Sequence, residues 1–162
     1  MGNGTIQKEF NYSQKNDGTP DEVFPLLCPV REKEWIDGWE YEMIYSKSGL
    51  VEEGCVFTTP HHGSTVTTWY VTRHDSKLHY VEFIRFTPGE TVVRIQIQME
   101  ELPGNKTASN ISYQYTGLNE HQNAFIENKM QDDFHQSMLY WEKAINYYLT
   151  TGQKLMKDLN SK

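Results

Sequence analysis

The chain is poor in cysteine: Cys28 and Cys55 are the two among 162 residues. That is too few for a disulfide framework, and their spacing is too wide for a zinc or redox pair. Both read as small buried apolar side chains. No apolar run is long enough to cross a bilayer, and MGNGTIQKEF holds no hydrophobic stretch that could serve as a signal peptide. The expected address is therefore the cytoplasm, with no stable membrane insertion. Positive charge is in deficit, with 15 Lys and Arg against 22 Asp and Glu and a net charge of −7. A field of that sign repels phosphate backbones and excludes a nucleic-acid-binding role. Neither G-x-S-x-G, a P-loop nor G-x-G-x-x-G occurs, so hydrolase and nucleotide readings have no support. Metal-ligand clusters are missing too. His61 and His62 are adjacent and point apart in extended chain, and of Asp132, Asp133 and His135 only the first and last share a helical face. No metal and no cofactor is expected.

What the chain has in quantity is rings: seven Phe, ten Tyr and four Trp. They imply either a bulky core or a cavity lined with aromatics. The length suits one domain, expected over 1–162.

Ile6, Phe10 and Tyr12 share one parity, which predicts a strand. In NDGTPDE, Asp17-Gly18 turns the chain, Thr19 caps a short helix with Pro20 in its first position, and Glu22 completes a capping box. That helix carries Val23, Phe24, Leu26 and Leu27, with Pro25 tolerated early. Pro29 stops it at Cys28 and opens a second short helix, VREKEWI. Within CPVREKEW the four charged residues Arg31, Glu32, Lys33 and Glu34 are expected mostly to face water.

From Trp39 the apolar period becomes two. WEYEMIY, CVFTT, STVTTWYVTR, LHYVEFIRF, ETVVRIQIQME and NKTASNISYQYTG predict six further strands, separated by turns such as PHHG and TPGE. From about Asn119 to Leu155 there is no proline, and Ile126, Met130, Phe134, Trp141, Ile145 and Tyr148 fall on one helical stripe. A helix of roughly 30 residues would span about 45 Å, enough to lie across a whole sheet.

A strand, two short helices, six strands and a long C-terminal helix resembles the helix-grip fold of the SRPBCC proteins. These include the START lipid-transfer domains, the birch-pollen-allergen family and the polyketide cyclase/dehydrase group. The strings CPVREKEWIDGW, EEGCVF, TTWYVTR and FTPGETV also look like an uncharacterised bacterial and archaeal subgroup of it. The resemblance implies an α+β domain in which a seven-stranded, curved antiparallel sheet wraps the C-terminal helix, with a cavity between them. The two short helices, between strands one and two, would close one end.

With Arg85 and Arg94 facing solvent, parity sends Tyr80, Glu82, Ile84 and Phe86 inward, and Val93, Ile95, Ile97 and Met99 beside them. Tyr41, Met43, Phe57, Trp69, Ile111, Tyr113 and Tyr115 complete that face, beneath Met130, Phe134 and Trp141. The same residues would equally fill a solid core. Glu82 among apolar neighbours would have a raised pKa and is the candidate catalytic acid or base; its alternative is an exposed or ion-paired carboxylate. Arg31 could reach a ligand carboxylate from the short-helix corner, or pair with Glu34 or Asp37.

Three functions remain open on these residues. The first is binding of a small, largely hydrophobic molecule between sheet and helix, as carrier or sensor. The second is a cofactor-free cyclase or aromatase using the same pocket. The third is an interaction module like the chaperone-activator relatives of this fold. Nothing in the residues reports oligomeric state.

Overall fold

The computed structural model describes residues 4–157. Strand β1 (Gln7–Asn16) leads into α1 (Pro20–Val23), a 3-10 turn (Phe24–Leu27) and α2 (Pro29–Trp35). A meander follows: β2 (Glu42–Tyr45), β3 (Val56–Pro60), β4 (Val66–Asp75), β5 (Tyr80–Thr87), β6 (Thr91–Leu102) and β7 (Lys106–Gly117). Helices α3 (Glu120–Asn128) and α4 (Met130–Thr151) complete the regular elements among the described residues. All seven strands form one antiparallel sheet in the order β1-β7-β6-β5-β4-β3-β2, so the first strand closes against the last. This is the expected α+β architecture, a curved sheet against a long C-terminal helix. No helix among the described residues is long and apolar enough to cross a membrane.

Local chemistry accounts for the elements. Glu22 Oε1 accepts the Thr19 N–H at 2.8 Å, and Pro20 occupies the first turn of α1. Pro25 lacks an N–H, so α1 tightens into the 3-10 turn instead of continuing. Cys28 is extended (φ −93°, ψ 135°), as a residue before proline prefers, and Pro29 starts α2. The long helix is two helices: the chain breaks at Lys129 (φ −130°, ψ −19°). Helix α4 has 22 residues, about 33 Å of rise, and stops at left-handed Gly152 (φ 74°).

The facing of β5 is the reverse of that expected. Val81, Phe83 and Thr87 are buried, while Tyr80, Glu82, Ile84 and Phe86 lie on the outer face of the sheet. The cause is register. On β6, Val93, Ile95, Ile97 and Met99 point inward as expected, and directly paired residues share a face. Val81 pairs with Ile97, Phe83 with Ile95 and Arg85 with Val93, so Arg85 goes inward with them.

One polar seam lies under α4. Gln14 Nε2 donates to Met138 O (3.3 Å), Asn16 Nδ2 to Gln14 Oε1 (3.3 Å), and Ser109 Oγ to Asn16 Oδ1 (2.6 Å). Each group is buried and partnered, as burial of polar atoms requires. The other end of β7 is packed to its limit. A Cβ on Gly117 would come within 2.0 Å of Asn123 Oδ1, the atom that accepts the Ile6 N–H. Gly117→Ala should therefore displace Asn123, orphan that N–H and cost about 1–3 kcal/mol in urea unfolding. An unchanged midpoint would show that α3 can shift freely.

Candidate functional site

Between the concave face of the sheet and α4, two spaces share the side chains of Trp69 and Trp141. The outer one is a vestibule of about 620 Å³. Trp69, Arg85 and Tyr115 wall it from the sheet, Met130 and Trp141 from α4, and Trp39 and His61 from the rim. The inner one is a chamber of about 20 Å³, room for roughly one water molecule. Glu32, Phe57, Phe83, Ile95 and Tyr113 surround it, and it shares Trp69 and Trp141 with the vestibule.

The walls are held rigidly. The Phe57 and Trp69 rings stack at 5.3 Å and 14°, and Phe83 stands edge-on to Trp69 at 5.8 Å. Trp69 Nε1 donates to Thr59 Oγ1 at 3.0 Å. At the inner end Trp35 meets Trp141 edge to face at 5.7 Å and 88°, and its Nε1 donates to Leu26 O at 2.9 Å. Trp39 Nε1 donates to Pro29 O at 2.9 Å, tying the rim to α2. Past α4, Leu155 bridges to Ile36, the Lys157 N–H donates to Asp37 Oδ2 at 3.0 Å, and Lys157 Nζ lies 5.4 Å from the Tyr140 ring centre.

Two ionisable side chains enter this apolar frame. Arg85 is half-buried, its guanidinium carbon 5.3 Å from the Trp69 ring centre, 5.7 Å from Tyr113 and 5.8 Å from Tyr115. Glu32 is 7% exposed, and its carboxyl makes no hydrogen bond among the described residues. Burial pushes its pKa up to about 8. Tyr113 is influenced by both. Burial raises its hydroxyl's pKa, Arg85 opposes the rise and Glu32 adds to it.

Glu32 is the buried exception among the four charged residues of CPVREKEW, expected mostly to face water. Helix α2 turns it to the same side as Trp35 and Ile36, three and four residues on, both buried. Arg31 is the reverse case. It points away from the pocket, with Nε 3.1 Å from Glu34 Oε2, while Tyr148 Oη donates to Glu34 Oε1 at 2.6 Å. Tyr80 and Glu82 are corrected too. They form an outer-face cluster in which Tyr80 Oη (2.9 Å), Thr72 Oγ1 (3.0 Å) and Arg94 Nη2 (3.4 Å) all donate to Glu82. Burial alone would raise the Glu82 pKa, but those bonds outweigh it and hold the carboxyl below its ordinary value.

The structure brings Phe57, Trp69, Ile95, Ile97, Tyr113, Met130 and Trp141 together around the two spaces. Three other candidates stand apart from them. Tyr41 stacks on Trp39, Met43 lies with its sulfur 3.5 Å from Cys55 Sγ, and Phe134 fills the core between Phe10 and Tyr113. Glu32 and Arg85 are the functional groups that a sequence reading passes over. The i, i+3 spacing to Trp35 signals the first, and the pairing of β5 with β6 the second.

No family model and no curated protein matches the chain. Solved structures do. The chain is similar to the ZhuI aromatase/cyclase of Streptomyces sp. R1128, with TM-score 0.66 and 8% identity over 93% of this chain and 100% of that one. Norcoclaurine synthase from Thalictrum flavum aligns with TM-score 0.63 and 10% identity, covering 91% and 89%. The Mll3558 protein from Rhizobium loti aligns with TM-score 0.62 and 14% identity, covering 88% and 98%. At such identities a likeness establishes the fold alone, and by its element order, sheet topology and these superpositions the chain has the helix-grip fold of the SRPBCC proteins.

Proposed function

We propose that the chain binds a small, largely apolar molecule in the vestibule between sheet and α4, as a cytoplasmic carrier or sensor. The supporting observation is the vestibule itself: about 620 Å³ walled by Trp69, Tyr115, Met130 and Trp141. That volume lies within the range of small-molecule sites, which combine apolar and aromatic walls with placed polar groups, here Arg85 on the sheet and the charged residues of the rim. Burial of the ligand's apolar surface supplies the affinity, and the polar groups fix its orientation. Titration with the neutral probe N-phenyl-1-naphthylamine tests this reading. Saturable one-site quenching of tryptophan emission is expected, weakened at least tenfold in Trp69→Ala, where stacking area is lost. A linear, unsaturable response up to the probe's solubility would reject an open pocket in favour of a filled core.

Glu32 favours a second reading, a cofactor-free enzyme. An uncharged carboxylic acid in the chamber that Tyr113 also lines can donate to a carbonyl oxygen and stabilise its enol form. One of the similar structures, norcoclaurine synthase, was solved with dopamine and hydroxybenzaldehyde, the latter a carbonyl compound.

A further inference from the structure

We propose that Arg85 anchors a carboxylate on the ligand, so that the pocket selects apolar or aromatic monocarboxylates over their neutral counterparts. The inference rests on the reading of the vestibule as a ligand site and names the class of ligand it takes.

The position of Arg85 is fixed by the sheet. It pairs with Trp69 on β4 and with Val93 on β6, both buried on the concave side. Its guanidinium carries five N–H donors in a plane. One of them is used, by Nη2 to the Tyr115 hydroxyl at 3.4 Å, long for a hydrogen bond. Trp69, Tyr113 and Tyr115 stabilise the charge through their ring faces, but the faces accept no in-plane hydrogen bond. Arg85 takes part in none of the ion pairs among the described residues.

The acids around the vestibule are engaged elsewhere or exposed. Glu90 takes His61 at 2.8 Å, and Asp37 accepts the Lys157 N–H. Glu40 and Asp133 are exposed to water. A half-buried guanidinium with open donors on an aromatic wall is matched by one planar anion, which a carboxylate supplies through two parallel bonds. The same rim acids decide between anions. They repel a multiply charged phosphate more than a single carboxylate held deep beside Trp69.

The test compares 2-naphthoate with 2-naphthalenemethanol, which share a ring system and differ in the anionic head. Binding is measured by calorimetry on the wild type, Arg85→Gln and Arg85→Lys. Wild type should prefer the naphthoate by roughly tenfold or more, the scale of a charge-assisted hydrogen bond. Arg85→Gln should lose that preference while still binding the alcohol, and Arg85→Lys should keep part of it, having the charge without the fork. Equal affinities in the wild type would overturn the inference and leave the pocket reading intact, as would a preference that survives in Arg85→Gln. Failure of both probes to bind the wild type would remove the pocket reading and this inference together. The wild-type comparison needs no variant, so it stands even if a substitution at position 85 impairs folding.

Discussion

Relative to Glu32→Gln, the wild-type protein should lose on the order of 5 kcal/mol of folding stability between about pH 4 and pH 9. Burial raises the Glu32 pKa from 4.5 to about 8. Between those two values the folded chain holds a proton that the unfolded chain gives up. Stability therefore falls as pH rises through that window, and below it the carboxyl contributes no pH dependence. The amide variant has no proton to release at this site, and every other titrating group cancels in the difference. At neutral pH Glu32→Gln should thus be the more stable protein by about 3 kcal/mol, growing towards the alkaline limit. In melting temperature the alkaline gap is on the order of 10 °C for a chain of this size. Chemical denaturation of both proteins at a series of pH values measures it. Parallel curves would mean that the carboxyl ionises at its ordinary value and that the chamber is wet. The same variant separates the two functional readings. An enzyme loses turnover while probe binding survives, whereas a carrier is indifferent to the proton.

Trp35→Ala should cost about 3–5 kcal/mol, the largest loss expected from any single truncation here. Trp35 is 0% exposed, and three roles converge on it. Its ring fills the space between α2 and α4, it meets Trp141 at right angles, and its Nε1 ties α2 back to Leu26 O. Alanine leaves a cavity and an unpaired carbonyl together. Trp35→Phe keeps most of the packing and loses the hydrogen bond, so it should cost only about 1–2 kcal/mol. Because Trp141 walls both the vestibule and the chamber, probe affinity should fall in the alanine variant as well. Urea unfolding beside a probe titration measures both effects. A loss under about 1 kcal/mol from Trp35→Ala would show that α2 is not clamped through this ring.

Much of the fold is legible in the chain because its local signals agree. Thr19-Pro20 and Cys28-Pro29 mark the short helices, the period-two runs mark the strands, and β6 shows its inner face plainly since Arg94, Gln96 and Gln98 alternate with Val93, Ile95, Ile97 and Met99. The site is less legible where a residue's surroundings come from elsewhere in the chain. Strand β5 is apolar on both parities, so a one-residue choice moves Glu82 and Arg85 to opposite sides of the sheet. Solvating the arginine looks natural until β6 and β4 are laid beside it. Glu32 misleads in a similar way. Three charged neighbours suggest a solvated face, and only the burial of Trp35 and Ile36 reveals which side of that helix is dry. Gln14 and Asn16 share the parity of Phe10 and Tyr12 but lie past the strand that the sequence signals, which the structure carries on to Asn16. Their partners Ser109 and the Met138 carbonyl arrive from sequence positions more than ninety residues away.

The contacts beyond α4 add a matter of timing. Trp69, Arg85 and Tyr115 stand on paired strands of the sheet, whereas the strip Leu155–Lys157 is held, among the described residues, by Leu155 against the core, one bridge, one backbone donor and one cation over a ring. Such a strip can detach in a local fluctuation while the sheet stays intact. On the reading of the vestibule as a ligand site, its walls would set how tightly an occupant is held, and detachment of this strip would set how soon it leaves. Because Asp37 and Lys157 also line the vestibule, sequence change there would alter the rate of exchange and what the pocket accepts together.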